Sequence, residues 1–235
     1  MKVLYLPNHE GWNASKPRNL GARLSDIHSD ALYFLDSDVL LPPNRIQLLI
    51  EAWEKDPDPN RVIIGPYHYL QTPIADTLAD FPHEWYKRAL SNYNPDIRWE
   101  SFNTHPVESK NTGLGMALAC FGGSLLIPRH LFFKTGGYDE SVTSGMEDGE
   151  FGLTLWETGA VFSLHKEILG WHHPHEIVPG RTSDIPGMIE YIDRKHKMDL
   201  VQASGTAMRQ WGHEDWIIPQ EWIDGSGYTA DEFKK

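Results

Sequence analysis

One short segment does most to limit what this chain can become: an apolar run that ends abruptly in acid. Residues 31–35 read Ala-Leu-Tyr-Phe-Leu and run straight into Asp36-Ser37-Asp38. An aromatic-rich apolar run of this length suits a strand. Ligands bind outside the carboxyl ends of strands in open α/β sheets, which is where the two aspartates fall. Two carboxylates there repel unless something positive joins them. A divalent cation would do so, and oxygen ligands suit magnesium or manganese. The same triplet also suits a solvated strand-to-helix loop whose aspartates act as caps.

The rest of the chain alternates strand and helix. Residues 2–6 read as a short buried strand, and 18–29 as a helix with Leu20, Leu24 and Ile27 at helical spacing. Pro42 and Pro43 suit the first turn of another helix, whose inner face would be Ile46, Leu49, Ile50 and Trp53. Residues 61–69 read as a strand and 114–127 as strand-like. Residues 151–158 read as a helix closed by Gly159, with short strands at 161–164 and 168–171. Residues 183–211 are largely helical in pattern, and 212–235 form an acidic, aromatic tail. Between them, 71–111 is rich in proline, asparagine and aromatic residues and reads as an insertion with a short helix near 82–91. This order predicts an α/β fold, a mixed sheet flanked by helices. One domain over 1–180 would carry the site, with 181–235 a C-terminal helical extension packed on it.

Bulk properties narrow the function. The 235 residues suffice for one substantial core. A net charge of −12 is the opposite of a nucleic-acid footprint. An acidic chain that handles an anionic ligand needs local positive charge, and a bound metal ion is one source. The single cysteine, Cys120, excludes an internal disulfide. The longest apolar stretch, 113–128, contains four glycines and is too short to span a bilayer. The chain is read as cytoplasmic.

Two further clusters carry chemistry. Met146-Glu147-Asp148-Gly149-Glu150 stands just before the amphipathic helix; a carboxylate here suits a general base, or simply complements the helix dipole. Trp171-His172-His173-Pro174-His175 places three imidazoles at a strand end, where they could ligate metal.

Taken together these segments resemble the family 2 glycosyltransferases and their GT-A relatives. Gly136-Gly137-Tyr138-Asp139-Glu140, then Glu147-Asp148-Gly149-Glu150-Phe151, then Leu155-Trp156-Glu157-Thr158-Gly159 are similar to the family's GGFDE, ED-x-E-F and RLW-x-x-G signature. Pro17-Arg18-Asn19-Leu20-Gly21 is similar to its ARNxG segment, Asp36-Ser37-Asp38 to its DXD motif, and 170–175 to a late His-x-x-His segment.

The resemblance implies an inverting hexosyl transfer from a nucleotide-sugar donor, with UDP the usual nucleotide, to a saccharide or other hydroxyl acceptor. It implies Mn2+ or Mg2+ bound by Asp38 with His172, and His175 as a second candidate. Asp148 would be the catalytic base and Glu147 would assist acceptor binding. Arg18 and Asn19 would lie near the donor nucleotide, Asp36 near its ribose or the metal's outer shell, and Gly123 where a loop approaches the donor sugar. The family's VIPTYN and VDDGS segments are missing, so the chain reads as shortened at its N-terminus, either a phage-type minimal enzyme or a fragment. Thr154 stands where the family often has arginine. A sugar nucleotidyltransferase is a competing reading, although the glycine-rich phosphate loop it needs near the start is lacking. A non-catalytic module that binds metal and nucleotide sugar is another.

Overall fold

The computed structural model describes residues 13–56, 58–74, 85–104, 113–143, 145–175, 185–211 and 213. The strand expected at 2–6 and nearly all of the tail lie outside these residues.

Helix α1 (Ser15–Leu24) buries Ser15, Asn19 and Ala22, so its inward stripe is largely polar. It ends before the expected 29 because Ser25 turns extended and its hydroxyl donates to the Ala22 carbonyl, leaving Ile27 73% exposed. Strand β1 (Ala31–Leu35) follows as expected, then β2 (Val39–Leu40). Helix α2 (Arg45–Lys55) buries Arg45, Leu49 and Ala52, whereas Ile46 and Ile50 are 47% and 45% exposed. The expected face is therefore rotated by one position, roughly 100°. The cause is Arg45, fully buried, which donates to Ser124 Oγ at 2.7 Å.

The strand expected over 61–69 is two strands in two sheets, β3 (Arg61–Ile64) and β4 (Tyr67–Leu70). Pro66 lacks the N–H that a continuing ladder needs. Gly65 is packed so closely that a Cβ would lie 2.5 Å from Arg45 Nη2 and 2.7 Å from the Ile168 carbonyl. The insertion supplies α3 (Trp85–Ala89), β5 (Tyr93–Asn94) and α4 (Trp99–Thr104). The strand-like run at 114–127 is a helix followed by a strand, α5 (Leu114–Leu118) and β6 (Ser124–Pro128). Helix α5 packs on two other helices and buries Gly115, Met116, Ala117 and Leu118, and an all-apolar run carries no period to distinguish it from a strand.

Helix α6 (Arg129–Thr135) ends at Gly136, where φ is 88°, a left-handed stop that glycine adopts without strain. Helix α7 (Glu147–Glu157) starts earlier than expected, so the acidic cluster is its first turn, beside the positive end of the dipole. Strands β7 (Val161–Leu164) and β8 (Gly170–His172) and helices α8 (Ile185–His196) and α9 (Leu200–Gln210) complete the order.

One sheet runs β1-β6-β3-β7, with β6 antiparallel to both neighbours and β3 parallel to β7. The other runs β2-β8-β4-β5, with β4 and β8 parallel. Helices pack against them, as an α/β mixed-sheet fold requires. The main core continues from the first sheet through α5 and α7 to α8 and α9, where Ile189, Ile192 and Val201 have no exposed surface. Register then sets the site. Leu35 pairs with Ser124, bringing Asp36 beside Gly123, and Val39 pairs with His172, bringing Asp38 beside the histidines.

Candidate active site

The metal-ligand end forms where the loop before β2 meets the end of β8. Asp38 Oδ2 lies 3.7 Å from His172 Nε2 and 3.2 Å from His175 Nε2. One ligand atom from each of the three lies within 4.8 Å of the others. The second oxygen of Asp38, Oδ1, is buried and has no hydrogen-bond partner. A buried carboxylate oxygen without a partner costs free energy unless something positive satisfies it, so the residues fit a cation. His173 is directed elsewhere: its N–H donates to the Asp38 carbonyl at 2.7 Å and its Nε2 accepts from Ile74.

The other end is organised by Arg18. Its Nη1 donates to Asp148 Oδ1 at 2.6 Å and lies 3.6 Å from Glu147, while Nη2 donates to Asp36 Oδ1 at 2.9 Å. The Gly122 N–H also donates to Asp148. Both glycines are needed for this approach. A Cβ on Gly122 would lie 2.5 Å from Arg18 Cζ and 2.6 Å from Asp148 Oδ1; on Gly123 it would lie 2.8 Å from Tyr67 and 3.0 Å from Asp36. Burial pushes Asp148 above the ordinary aspartate value, with the Arg18 charge opposing it. Burial alone would lower Arg18, but Asp148, Tyr138 and Asp36 outweigh it and hold the guanidinium above its ordinary value.

The remaining expected residues take supporting positions. Asn19 is 4% exposed, and both ends of its amide are engaged. It donates to the Tyr138 carbonyl at 2.8 Å and to Glu140 at 3.0 Å, and accepts from the Tyr138 N–H at 2.9 Å. It pins the glycine turn at 136–140 rather than facing the pocket, which Arg18 beside it does. Glu147, expected to assist acceptor binding, is 2% exposed and lies 3.6 Å from Arg18.

Three groups of residues at or around the site were not anticipated. Tyr67 and Tyr69 lie on the same side of β4, and their rings are 6.0 and 5.4 Å from that of His172. The Tyr-His-Tyr alternation was the available signal. Asp96 and Arg98, fully enclosed and 2.6 Å apart, hold them from behind: Asp96 accepts the Tyr67 N–H, and Arg98 stacks over the Tyr67 ring. Helix α8 fastens α7. Lys195 Nζ lies 2.6 Å from both Glu150 and Asp139, Tyr191 donates to Asp139, and buried His196 lies 3.2 Å from Glu150.

Residues 1–169 match the family described as glycosyltransferase like family 2, and the chain belongs to that family, with the GT-A type fold. It is 28% identical over 191 residues to chondroitin synthase of Escherichia coli, covering 74% of this chain and 26% of that protein. It is 27% identical over 136 residues to glucosyl-dolichyl phosphate glucuronosyltransferase of Haloferax volcanii, covering 56% of this chain and 36% of that protein. The chain thus spans well under half the length of either relative. No helix among the described residues is long and apolar enough to cross a membrane.

Proposed function

We propose that this chain transfers a sugar, with inversion, from a nucleotide diphosphate donor to a hydroxyl acceptor, using a divalent cation held by Asp38, His172 and His175. The observation that carries the reading is the partnerless Asp38 oxygen beside two imidazoles, on a register that also brings Asp36, Gly123 and the Arg18–Asp148 pair to the same sheet ends.

Charge makes the cation necessary. Four carboxylates, Asp36, Asp38, Glu147 and Asp148, lie here, and Arg18 is paired to three of them. A diphosphate entering such a field is repelled, and a divalent ion reverses the local sign. One carboxylate with two imidazoles favours Mn2+ over Mg2+, which prefers oxygen ligands. Bound there, the ion would act as a Lewis acid toward charge on the leaving diphosphate.

The chain's own groups supply the rest. Arg18 is a second cation next to the donor and holds Asp148 ionised. Asp148 accepts the proton of the acceptor hydroxyl as that oxygen bonds to the anomeric carbon and the bond to the diphosphate oxygen breaks. Burial raises Asp148 toward the working pH, which improves a general base. A single displacement of this kind inverts the anomeric centre. Glu147 steadies Arg18. UDP is the expected nucleotide, and the glucuronosyl group named for the Haloferax relative puts UDP-glucuronate first among donors to test.

Calorimetry with UDP in Mn2+, in Mg2+ and in chelator tests the reading. UDP should bind with Mn2+ and lose that binding in chelator or on Asp38→Ala. UDP affinity indifferent to the cation would overturn it.

A further inference from the structure

We infer that Tyr67 and Tyr69 form the surface that reads the transferred sugar, their hydroxyls recognising hydroxyl groups of the donor's hexose ring. The inference rests on the transfer reading above and deepens it. If Asp38, His172 and His175 hold the diphosphate and Asp148 takes the acceptor proton, the sugar ring must span the distance between them. The side chains that border both ends are Tyr67 and Tyr69. Strand pairing places Tyr69 directly opposite His172 on β8, and Tyr67 opposite Gly170, whose side-chain position is filled by Val39 from β2. The Tyr67 ring closes on Gly123, where a Cβ would lie 2.8 Å from it and 3.0 Å from Asp36. Both phenols also feel the charge of Asp148.

The two rings meet edge to face at 5.6 Å. Tyr69 is partly exposed while Tyr67 is 6% exposed, so Tyr69 is the ring open to a ligand and Tyr67 packs against it. His68, between them, points to the other side, stacked on Tyr93 at 4.3 Å and edge-on to Trp99 at 4.6 Å. The Asp96–Arg98 pair braces the strand from beneath. A rigid phenol pair with few torsions to freeze is well suited to reading sugar hydroxyls.

The test is calorimetry on the full chain with Mn2+, comparing UDP with the best-bound of UDP-glucose, UDP-glucuronate and UDP-N-acetylhexosamines. Tyr69→Phe removes only the hydroxyl. It should leave UDP affinity within about twofold and weaken the sugar nucleotide about tenfold, the loss of one hydrogen bond. Tyr67→Phe should act in the same direction, more weakly. A sugar-nucleotide to UDP affinity ratio unchanged in both variants overturns the inference alone. Equal weakening of UDP and sugar nucleotide shows that the phenols only support the metal ligands, and overturns it too. If UDP fails to bind the unmodified chain with Mn2+, the transfer reading falls, and this inference with it.

Discussion

At one end of the pocket Arg18 holds Asp148 at 2.6 Å and Asp36 at 2.9 Å; at the other, Asp38 faces His172 and His175 with one buried oxygen lacking a hydrogen-bond partner. The first end is balanced by the protein itself, through contacts that span 130 residues of sequence. At the second, no lysine or arginine among the described residues comes within ion-pairing distance of Asp38. On the proposed reading, the difference means that the base is placed and tuned by folding alone, whereas the diphosphate end would depend on a cation from solution. Changes at the two ends should therefore separate chemistry from binding.

The largest effect should come from the base. Asp148→Asn keeps the shape of the side chain but cannot take a proton, so transfer should fall by about 10²–10⁴-fold. Calorimetry should find Mn2+-dependent UDP binding nearly unchanged; equal loss of both would erase the distinction between the ends. Asp38→Ala should do the reverse and weaken Mn2+ affinity first. The loss should exceed the roughly 10–100-fold typical of outer-shell changes, because a ligand itself is removed. An Mn2+ titration reports it directly.

Smaller effects should follow from the supports. Lys195→Ala leaves Glu150, 1% exposed, without its closest cation. The lysine is itself one-third exposed and solvent screens its charge, so denaturant unfolding should show a loss of about 1–2 kcal/mol. Transfer should decline more than UDP binding, since α7 carries Asp148 and no metal ligand. His196 gives a pH signature. Burial alone would lower its pKa, but Glu150 and Glu157 outweigh burial and raise it. A raised folded value means that its stabilisation is complete below the unfolded histidine value of about 6.5 and is lost as pH rises through the folded value. The stability difference between the unmodified chain and His196→Gln should therefore shrink from mildly acidic to alkaline pH. Arg18→Gln should in addition move the acid limb of the pH–rate profile upward, since the guanidinium opposes protonation of Asp148.

Legibility in the sequence followed the range of the interactions. Strand β1 and the acids after it were readable because the pattern is local, as was the close of α7 at Gly159. The split at Gly65-Pro66 had a local signal in the proline, which cannot continue a ladder, whereas the close approach of the Arg45 side chain to Gly65 had none. The same arginine turned α2 away from its most hydrophobic face. Helix α5 passed for a strand because it is buried all round. At the site, the grouping of Asp38 with His172 and His175 was anticipated from motif order, and the structure brings the three together. The Arg18–Asp148 pair, the α8 clamp and the tyrosines on β4 join residues far apart in the chain, and no periodicity reports such contacts. Asn19 was assigned toward the donor from the likeness of its segment to the family's ARNxG motif. Helical geometry sends neighbouring residues to different faces, and Asn19 faces the glycine turn instead.

The central claim is that Asp38, His172 and His175 hold the ion that carries the donor diphosphate. Pulsed electron paramagnetic resonance of Mn2+ with UDP tests it most directly. Coupling to phosphorus and to two imidazole nitrogens is predicted, with one nitrogen lost in each of His172→Ala and His175→Ala. Phosphorus coupling without nitrogen, or a spectrum unaltered by both variants, would contradict it.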